Sequence, residues 1–245
     1  MITFVEKFAI KNMKTEQHIV FLTGAGMSAE SGISTFRDSG GLWDGYDPNK
    51  VASITGWYAD KEMVQAFYNL RRKELETVEP NAGHRAIAAL EAHYRVTVVT
   101  QNVDNLHERA GSTSVIHLHG ELTKACNESK TQVVEIGTRA IEKDEKAADG
   151  SLLRPFIVWF GEAVPLIEKA AEIVSTADIV VIVGTSMQVY PAAGLINYAK
   201  ADTPIYLIDP ADVSVPSKVQ IIKEKASAGM AKFVESLLLA YPPKK

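Results

Sequence analysis

Thr23-Gly24-Ala25-Gly26-Met27-Ser28-Ala29-Glu30-Ser31-Gly32 follows the apolar run Ile19-Val20-Phe21-Leu22, so closely spaced glycines stand where a buried strand ends and a helix begins. Such a junction lets bare backbone approach a pyrophosphate, with unpaired N–H groups and the positive end of the helix dipole pointing at it. Gly24, Gly26 and Ala29 fit the pattern G-x-G-x-x-G/A. A tight turn after a strand accounts for the same residues. The rest of the chain decides between these readings.

The 245 residues suit one large α/β domain, or one domain with a modest insertion, and 46% apolar content is ample for a core. Basic and acidic residues, 26 and 30, are spread along the chain, so no electrostatic footprint for nucleic acid or an anionic membrane is present. A single cysteine, Cys126, excludes an intrachain disulfide framework and fits a reducing compartment. Glu6, Lys7 and Lys11 interrupt the apolar residues of Met1 to Lys14, unlike a signal peptide, and no stretch approaches the roughly 20 apolar residues that span a bilayer. These features predict a soluble cytoplasmic protein.

Short apolar, β-rich runs recur at Ile19–Leu22, Val96–Val99, Val115–Leu118, Phe156–Trp159, Ile179–Val183 and Ile205–Ile208. Helical spacing at Pro165–Thr176, Ala192–Ala201 and Ala228–Leu239 predicts helices that cover a parallel sheet. Two segments interrupt the alternation. Ser34 to Asn49 is rich in Gly, Asp, Ser and Pro yet holds Phe36, Arg37, Leu42, Trp43 and Tyr46, which suits a mobile, ligand-covering loop, and a long helix-like stretch from Asp60 to Glu79 follows it. Glu121 to Arg154 is polar and charged, and reads as a small surface module.

Polar residues collect where these strands end, as expected of ligand sites in open α/β sheets. Thr100-Gln101-Asn102-Val103-Asp104-Asn105 holds five polar side chains in six positions. The cluster suits a ribose or a carboxamide, although Asp104 or Asn105 alone would serve as a helix cap. His117-Leu118-His119-Gly120 places two imidazoles on one face if the strand is regular. A metal pair, a general base at His119 and a core histidine at His117 are the competing readings. Gly184-Thr185-Ser186 and Asp209 end two further strands and suit phosphate or ribose hydroxyls. The acid that a dehydrogenase carries about 20 residues after its glycines has only Asp38, Asp44 and Asp47 as candidates, all on the irregular loop. A standard dehydrogenase pocket is therefore not expected. Tyr68 and Arg71, three apart on the long helix, form either part of a solvated basic face or a clamp for a carboxylate.

Taken together these motifs resemble those of the sirtuins, the NAD-dependent protein-lysine deacylases, and especially the bacterial class that removes acidic acyl groups. Gly24 to Ile33 with Thr35-Phe36-Arg37, Gln101 to His107, His119-Gly120, Val158-Trp159-Phe160-Gly161-Glu162 and Gly184-Thr185-Ser186 stand in family order from about Ile19 to Ala240. The resemblance implies a Rossmann-like parallel sheet with helices on both faces, built from 1–33, 81–120 and 155–245. It also implies a cofactor-loop and helical insertion at 34–80 and a small module at 121–154.

By the same resemblance NAD is a consumed co-substrate. Gly24, Ala25, Gly26, Ser28, Ala29, Thr35, Phe36, Arg37 and Trp43 would wrap it, with Gln101 and Asp104 near the nicotinamide ribose and Asn102 and Asp104 seating the nicotinamide. Gly184, Thr185, Ser186, Leu207, Ile208, Asp209 and Ala226 would lie toward the adenosine half. His119 is the implied base, with Asn102 beside it, and the products are free lysine, nicotinamide and O-acyl-ADP-ribose. An acyl-lysine peptide would add a strand beside Val158, Trp159, Phe160, Gly161 and Glu162. Tyr68 and Arg71 match the pair that holds a succinyl or malonyl carboxylate. Where the family has two pairs of zinc-binding cysteines, this chain has only Cys126. The expectation is therefore no zinc, with the module held by packing or partly disordered. A non-turning NAD or ADP-ribose sensor, an ADP-ribosyltransferase and a metal-dependent hydrolase using His117 and His119 are the rival readings.

Overall fold

The computed structural model describes residues 17–34 and 45–242. The N-terminal extension and the expected cofactor residues Thr35, Phe36, Arg37 and Trp43 lie outside the described residues. Six strands form a parallel sheet: β1 (His18–Thr23), β2 (Arg95–Thr100), β3 (Val115–His117), β7 (Ile179–Val183), β8 (Ile205–Ile208) and β9 (Val219–Ile222), in the order β3-β2-β1-β7-β8-β9. The strand order reverses between β1 and β7, which is the switch point where such sheets open a ligand crevice.

Alternation along the strands builds two cores. Ile19, Phe21, Val96, Val98, Val181 and Ile208 face one side, under Ile87 of the Ala82–Leu90 helix and Met230 and Phe233 of the Ala226–Ala240 helix. Val20, Leu22, Val99, Val180, Ile182 and Leu207 face the other, under Ala170 and Val174 of the Ile167–Ser175 helix and Leu195 of the 3-10 helix Ala192–Tyr198. Both faces are covered, so the strands read as continuous apolar runs. Among the described residues no helix is long and apolar enough to cross a membrane.

Three expectations need correcting. The apolar run Phe156–Trp159 is not a strand of the main sheet; β6 (Arg154–Ile157) pairs antiparallel with β4 (Gly120–Cys126), which also pairs with β5 (Val133–Glu135). Its apolar content comes from packing against the helical insertion: Ile157 and Trp159 share a core with Trp57, Val64, Phe67 and Tyr68. The segment Ala192–Ala201 forms 3-10 rather than α turns, and the last parallel strand, β9, adds to the expected strands; it is largely exposed and holds a polar Gln220.

Among the described residues, the insertion forms three capped helices. Asp47, Ser53 and Asp60 accept bonds from the first-turn amides of Asn49, Gly56 and Met63 and so start helices Pro48–Val51, Ile54–Ala59 and Lys61–Glu74. Arg71, Arg72 and Lys73 close the last with charges that suit its C-terminal dipole. In the module, Ala125, Ile136, Ile141 and Leu153 form a small core of their own. Packing therefore orders it, in place of the disorder also considered.

The first loop locks onto the loop after β7. Gly24 N donates to Val183 O at 3.0 Å and Gly26 N to Gly184 O at 2.8 Å. A Cβ on Gly26 would lie 2.7 Å from Gly184 Cα. Gly184 has a φ of +62°, and a Cβ there would lie 2.3 Å from Gly26 C. The amides of Gly24 and Gly26 are thus engaged within the chain, which corrects the expectation that they stand unpaired toward a phosphate. Their glycine character serves the close approach of two backbones. Gly184→Ala is expected to destabilise the fold by on the order of 1–3 kcal/mol, read from the urea midpoint, and an unchanged midpoint contradicts the interlock.

His18 and His84 are buried with neutral partners: His18 touches Thr97 and Thr176, and His84 sits in the capping box with Asn81. Burial, followed by the nearby Arg95 and Arg85 charges, pushes each down to about 4. In the unfolded chain both protonate near pH 6.5, so unfolding takes up protons between those values. Thermal stability should fall as pH drops from 6.5 toward 4, and His84→Gln should flatten that fall if the variant folds; a profile flat across that window contradicts the assignment.

Candidate active site

The loops after β1, β2, β3, β7 and β8 converge at the carboxyl end of the sheet. Gln101 N bonds Thr23 O, and its Nε2 donates to Thr185 Oγ1 at 3.2 Å, so the β2 loop is tied to both β1 and the β7 loop. Asn102 Nδ2 donates to Ser28 Oγ at 3.0 Å, and Ser28 Oγ donates to Asp104 Oδ2 at 2.9 Å. Leu106 N donates to the other Asp104 oxygen. Burial raises the Asp104 carboxyl against the pull of these donors. Three side chains from two loops thus hold one another in fixed orientation at the switch point.

The structure separates the two histidines. His117 ends β3, whereas His119 lies in the turn beyond it, so they do not share a regular strand face. Each directs Nδ1 at a carbonyl of the β2 loop: His117 at Asn102 O, 2.9 Å, and His119 at Gln101 O, 3.1 Å. A carbonyl only accepts, so Nδ1 carries the proton in both rings. His117 Nε2 also meets Glu108 Oε1 at 2.8 Å. Burial pulls its pKa down, but the Glu108 carboxylate carries it above the usual imidazole value, so His117 belongs to a buried ion pair. Burial lowers the pKa of half-buried His119 and keeps the ring neutral, with Nε2 as its basic nitrogen.

Beside this cleft, Ile33, Tyr68, Arg71, Val103, Asp104 and Leu122 line a pocket. Tyr68 and Arg71 are both buried, which excludes the solvated-face reading for Arg71. Arg71 is ion-paired with Glu74, one of the pocket's own residues. Trp159 Nε1 donates to Tyr68 Oη at 3.0 Å. Asp104 lines this pocket and also belongs to the Ser28–Asn102 triad, so pocket and cleft adjoin.

Other expected site residues lie as follows. Ala25, Ala29 and Ser186 are half-buried at the loop ends, and Asp209 is buried at the end of β8, bonded to Ala211 N. Leu207 and Ile208 do not reach the cleft with their side chains, which fill opposite core faces within β8. Ala226 likewise packs in the core, against Gly83. Both ladder sides of β8 are paired, with β7 and β9. The amides of Val158, Trp159 and Phe160 bond His119 O, Glu162 Oε2 and Ala52 O, so donors for an added peptide strand begin at Gly161. Glu162 is bound by Arg154 and Lys130 as well.

Sequence reasoning missed Glu108, Arg154 and Lys130, because each pairing is set by the tertiary fold, and it missed Glu74, which the i,i+3 spacing from Arg71 on one helix could have found. It also missed His84 and His107, whose rings lie 4.8 Å apart beneath Ser28 and Thr23. A capping-box reading of Asn81 to His84 could have found the first. Cys126 donates weakly to Pro155 O, and burial pushes its thiol up to about 11. Among the described residues no three His, Cys, Asp or Glu side chains group to hold a metal ion, and Cys126 is the single cysteine of the sequence.

The Sir2 family model matches residues 24–191. A curated protein of Bacteroides thetaiotaomicron named "NAD-dependent protein deacylase" is 51% identical over 91% of this chain and 99% of its own length. A Helicobacter pylori protein of the same name is 48% identical over 91% of this chain and 98% of its own. Among solved structures, a Sir2 homologue–NAD complex superposes with a TM-score of 0.83 at 36% identity, covering 97% of this chain and 96% of that one. An ADP-ribose complex of a Sir2 homologue gives 0.85 at 36% identity over 98% and 99%. With the strand order, the interlocked loops and the neutral His119 in place, the chain belongs to the Sir2 family.

Proposed function

We propose that this protein is an NAD-dependent protein-lysine deacylase that removes succinyl and related acidic groups as well as acetyl. The observation that carries the acidic preference is the burial of Tyr68 and Arg71 in a pocket that shares Asp104 with the strand-end cleft. A neutral acetyl group gives a buried guanidinium nothing to bind, whereas a carboxylate gives it a charged, two-pronged partner.

The chemistry of the cleft suits a dinucleotide. Gly24, Gly26 and Gly184 leave no side chains at the switch point. Ser28, Thr185 and Ser186 hydroxyls, the Gln101 amide and the Asp104 and Asp209 carboxylates supply groups for phosphate and ribose. The family assignments of Thr35, Phe36, Arg37 and Trp43 are retained on the sequence resemblance alone. NAD, when bound, supplies the glycosidic bond that breaks to release nicotinamide and the ribose that takes the acyl group. Asn102 and Asp104 orient that end, and His119 takes a proton from a ribose hydroxyl at Nε2, the role its neutral state suits. Acyl-lysine proteins are the partners in this reading. The buried, unpaired Cys126 supports a cytoplasmic setting.

A partly buried charged contact contributes about 1.5–3 kcal/mol. Arg71→Met should therefore lower kcat/KM for a succinyl peptide at least tenfold more than for the acetyl form of the same peptide; equal losses would defeat the assignment. The acid limb of the kcat/KM profile should have its midpoint below 6.5, following His119, and a midpoint above that value contradicts its role. Metal analysis of the purified protein should show no stoichiometric zinc, with melting unaffected by a chelator. One zinc per chain would overturn the reading of the module.

A further inference from the structure

The Tyr68 phenol has one proton and two lone pairs, and its aim depends on what occupies them. Trp159 Nε1–H fills one lone pair at 3.0 Å, so the direction of the phenol is tied to the position of the indole. Tyr68 and Trp159 are 1% and 2% exposed. The indole in turn is held from the small module. The Arg154 guanidinium lies over its ring, 3.6 Å from the centroid, and Trp57 packs on it at 5.1 Å. Trp159 N donates to Glu162 Oε2, whose carboxylate also accepts from Arg154 Nη1 and Nη2 and from Lys130 Nζ. Arg154 and Lys130 come from the module, Trp159 and Glu162 from the segment after it, and Tyr68 from the insertion. One buried chain of contacts therefore runs from module to acyl pocket.

We propose that Trp159, through its indole N–H, is a positioning residue for acidic acyl groups, and that Arg154 and Glu162 hold it there, so that the module contributes to acyl selectivity. The inference rests on the acyl reading above. Trp159→Phe keeps an aromatic ring under Arg154 and removes only the donor to Tyr68. Its cost should fall on groups that use the phenol: the ratio of kcat/KM for succinyl over acetyl forms of one peptide drops about three- to tenfold. The loss should sit in KM, and calorimetric peptide binding should show the same drop in the ratio of affinities. A merely structural tryptophan lowers both substrates together and leaves the ratio at its wild-type value, which overturns the proposal. Arg154→Lys provides a second variant should the first not fold. It keeps the charge but loses the flat stack and the forked contact to Glu162; an unchanged ratio there likewise overturns the proposal. Arg71→Met separates the two levels. If it lowers the ratio while the Trp159 and Arg154 variants do not, this inference alone fails; if it leaves the ratio unchanged, the acyl reading fails and takes the inference with it.

Discussion

The contact between Gly24, Gly26 and Gly184 is the constraint on which the rest of the site depends. Two strands that neighbour each other at the switch point send out loops whose backbones touch, bonded through Gly24 N to Val183 O and Gly26 N to Gly184 O. Any Cβ at Gly26 or Gly184 would enter the other loop's backbone. Because the loops cannot part, Ser28 on the first is held against Asn102 and Asp104, and Thr185 on the second against Gln101. The order of the cleft thus follows from the absence of three side chains.

Electrostatics then divides labour among similar groups. His117 and His119 both anchor Nδ1 on adjacent carbonyls, but only His117 meets a carboxylate. The first becomes the cation of a buried pair, and the second stays neutral with a basic nitrogen. A comparable division holds among the arginines. Arg154 is stacked and paired as framework, while Arg71 sits in the pocket wall with Glu74 as its partner. Glu74 reduces the desolvation cost of Arg71 and also sets the charge that an incoming carboxylate must compete with.

Much of this was legible in the sequence because it is local. Continuous apolar runs at Ile19–Leu22 and Ile179–Val183 placed the sheet centre, and glycines, amides and histidines marked the strand ends. The apolar run Phe156–Trp159 misled because a strand packed against a helical insertion has the same composition as one inside a parallel sheet. β9 escaped because an edge strand needs burial on only part of its surface. The burial of the Leu207 and Ile208 side chains in the two cores is what their place in a strand covered on both faces requires. The partners Glu108, Arg154 and Lys130 carry no spacing signal, since tertiary folding alone brings them to His117 and Glu162. Tyr68 and Arg71 were visible as neighbours on a helix, but their burial, which decides their meaning, was not.

The central claim is that the cleft breaks NAD in step with removal of an acyl group. It is tested most directly by measuring nicotinamide release and free lysine together, in the presence and absence of a succinyl-lysine peptide. The account predicts release only with the acylated peptide, one nicotinamide for each lysine freed. Binding of NAD with no release, or release that proceeds equally without the acylated peptide, would contradict it.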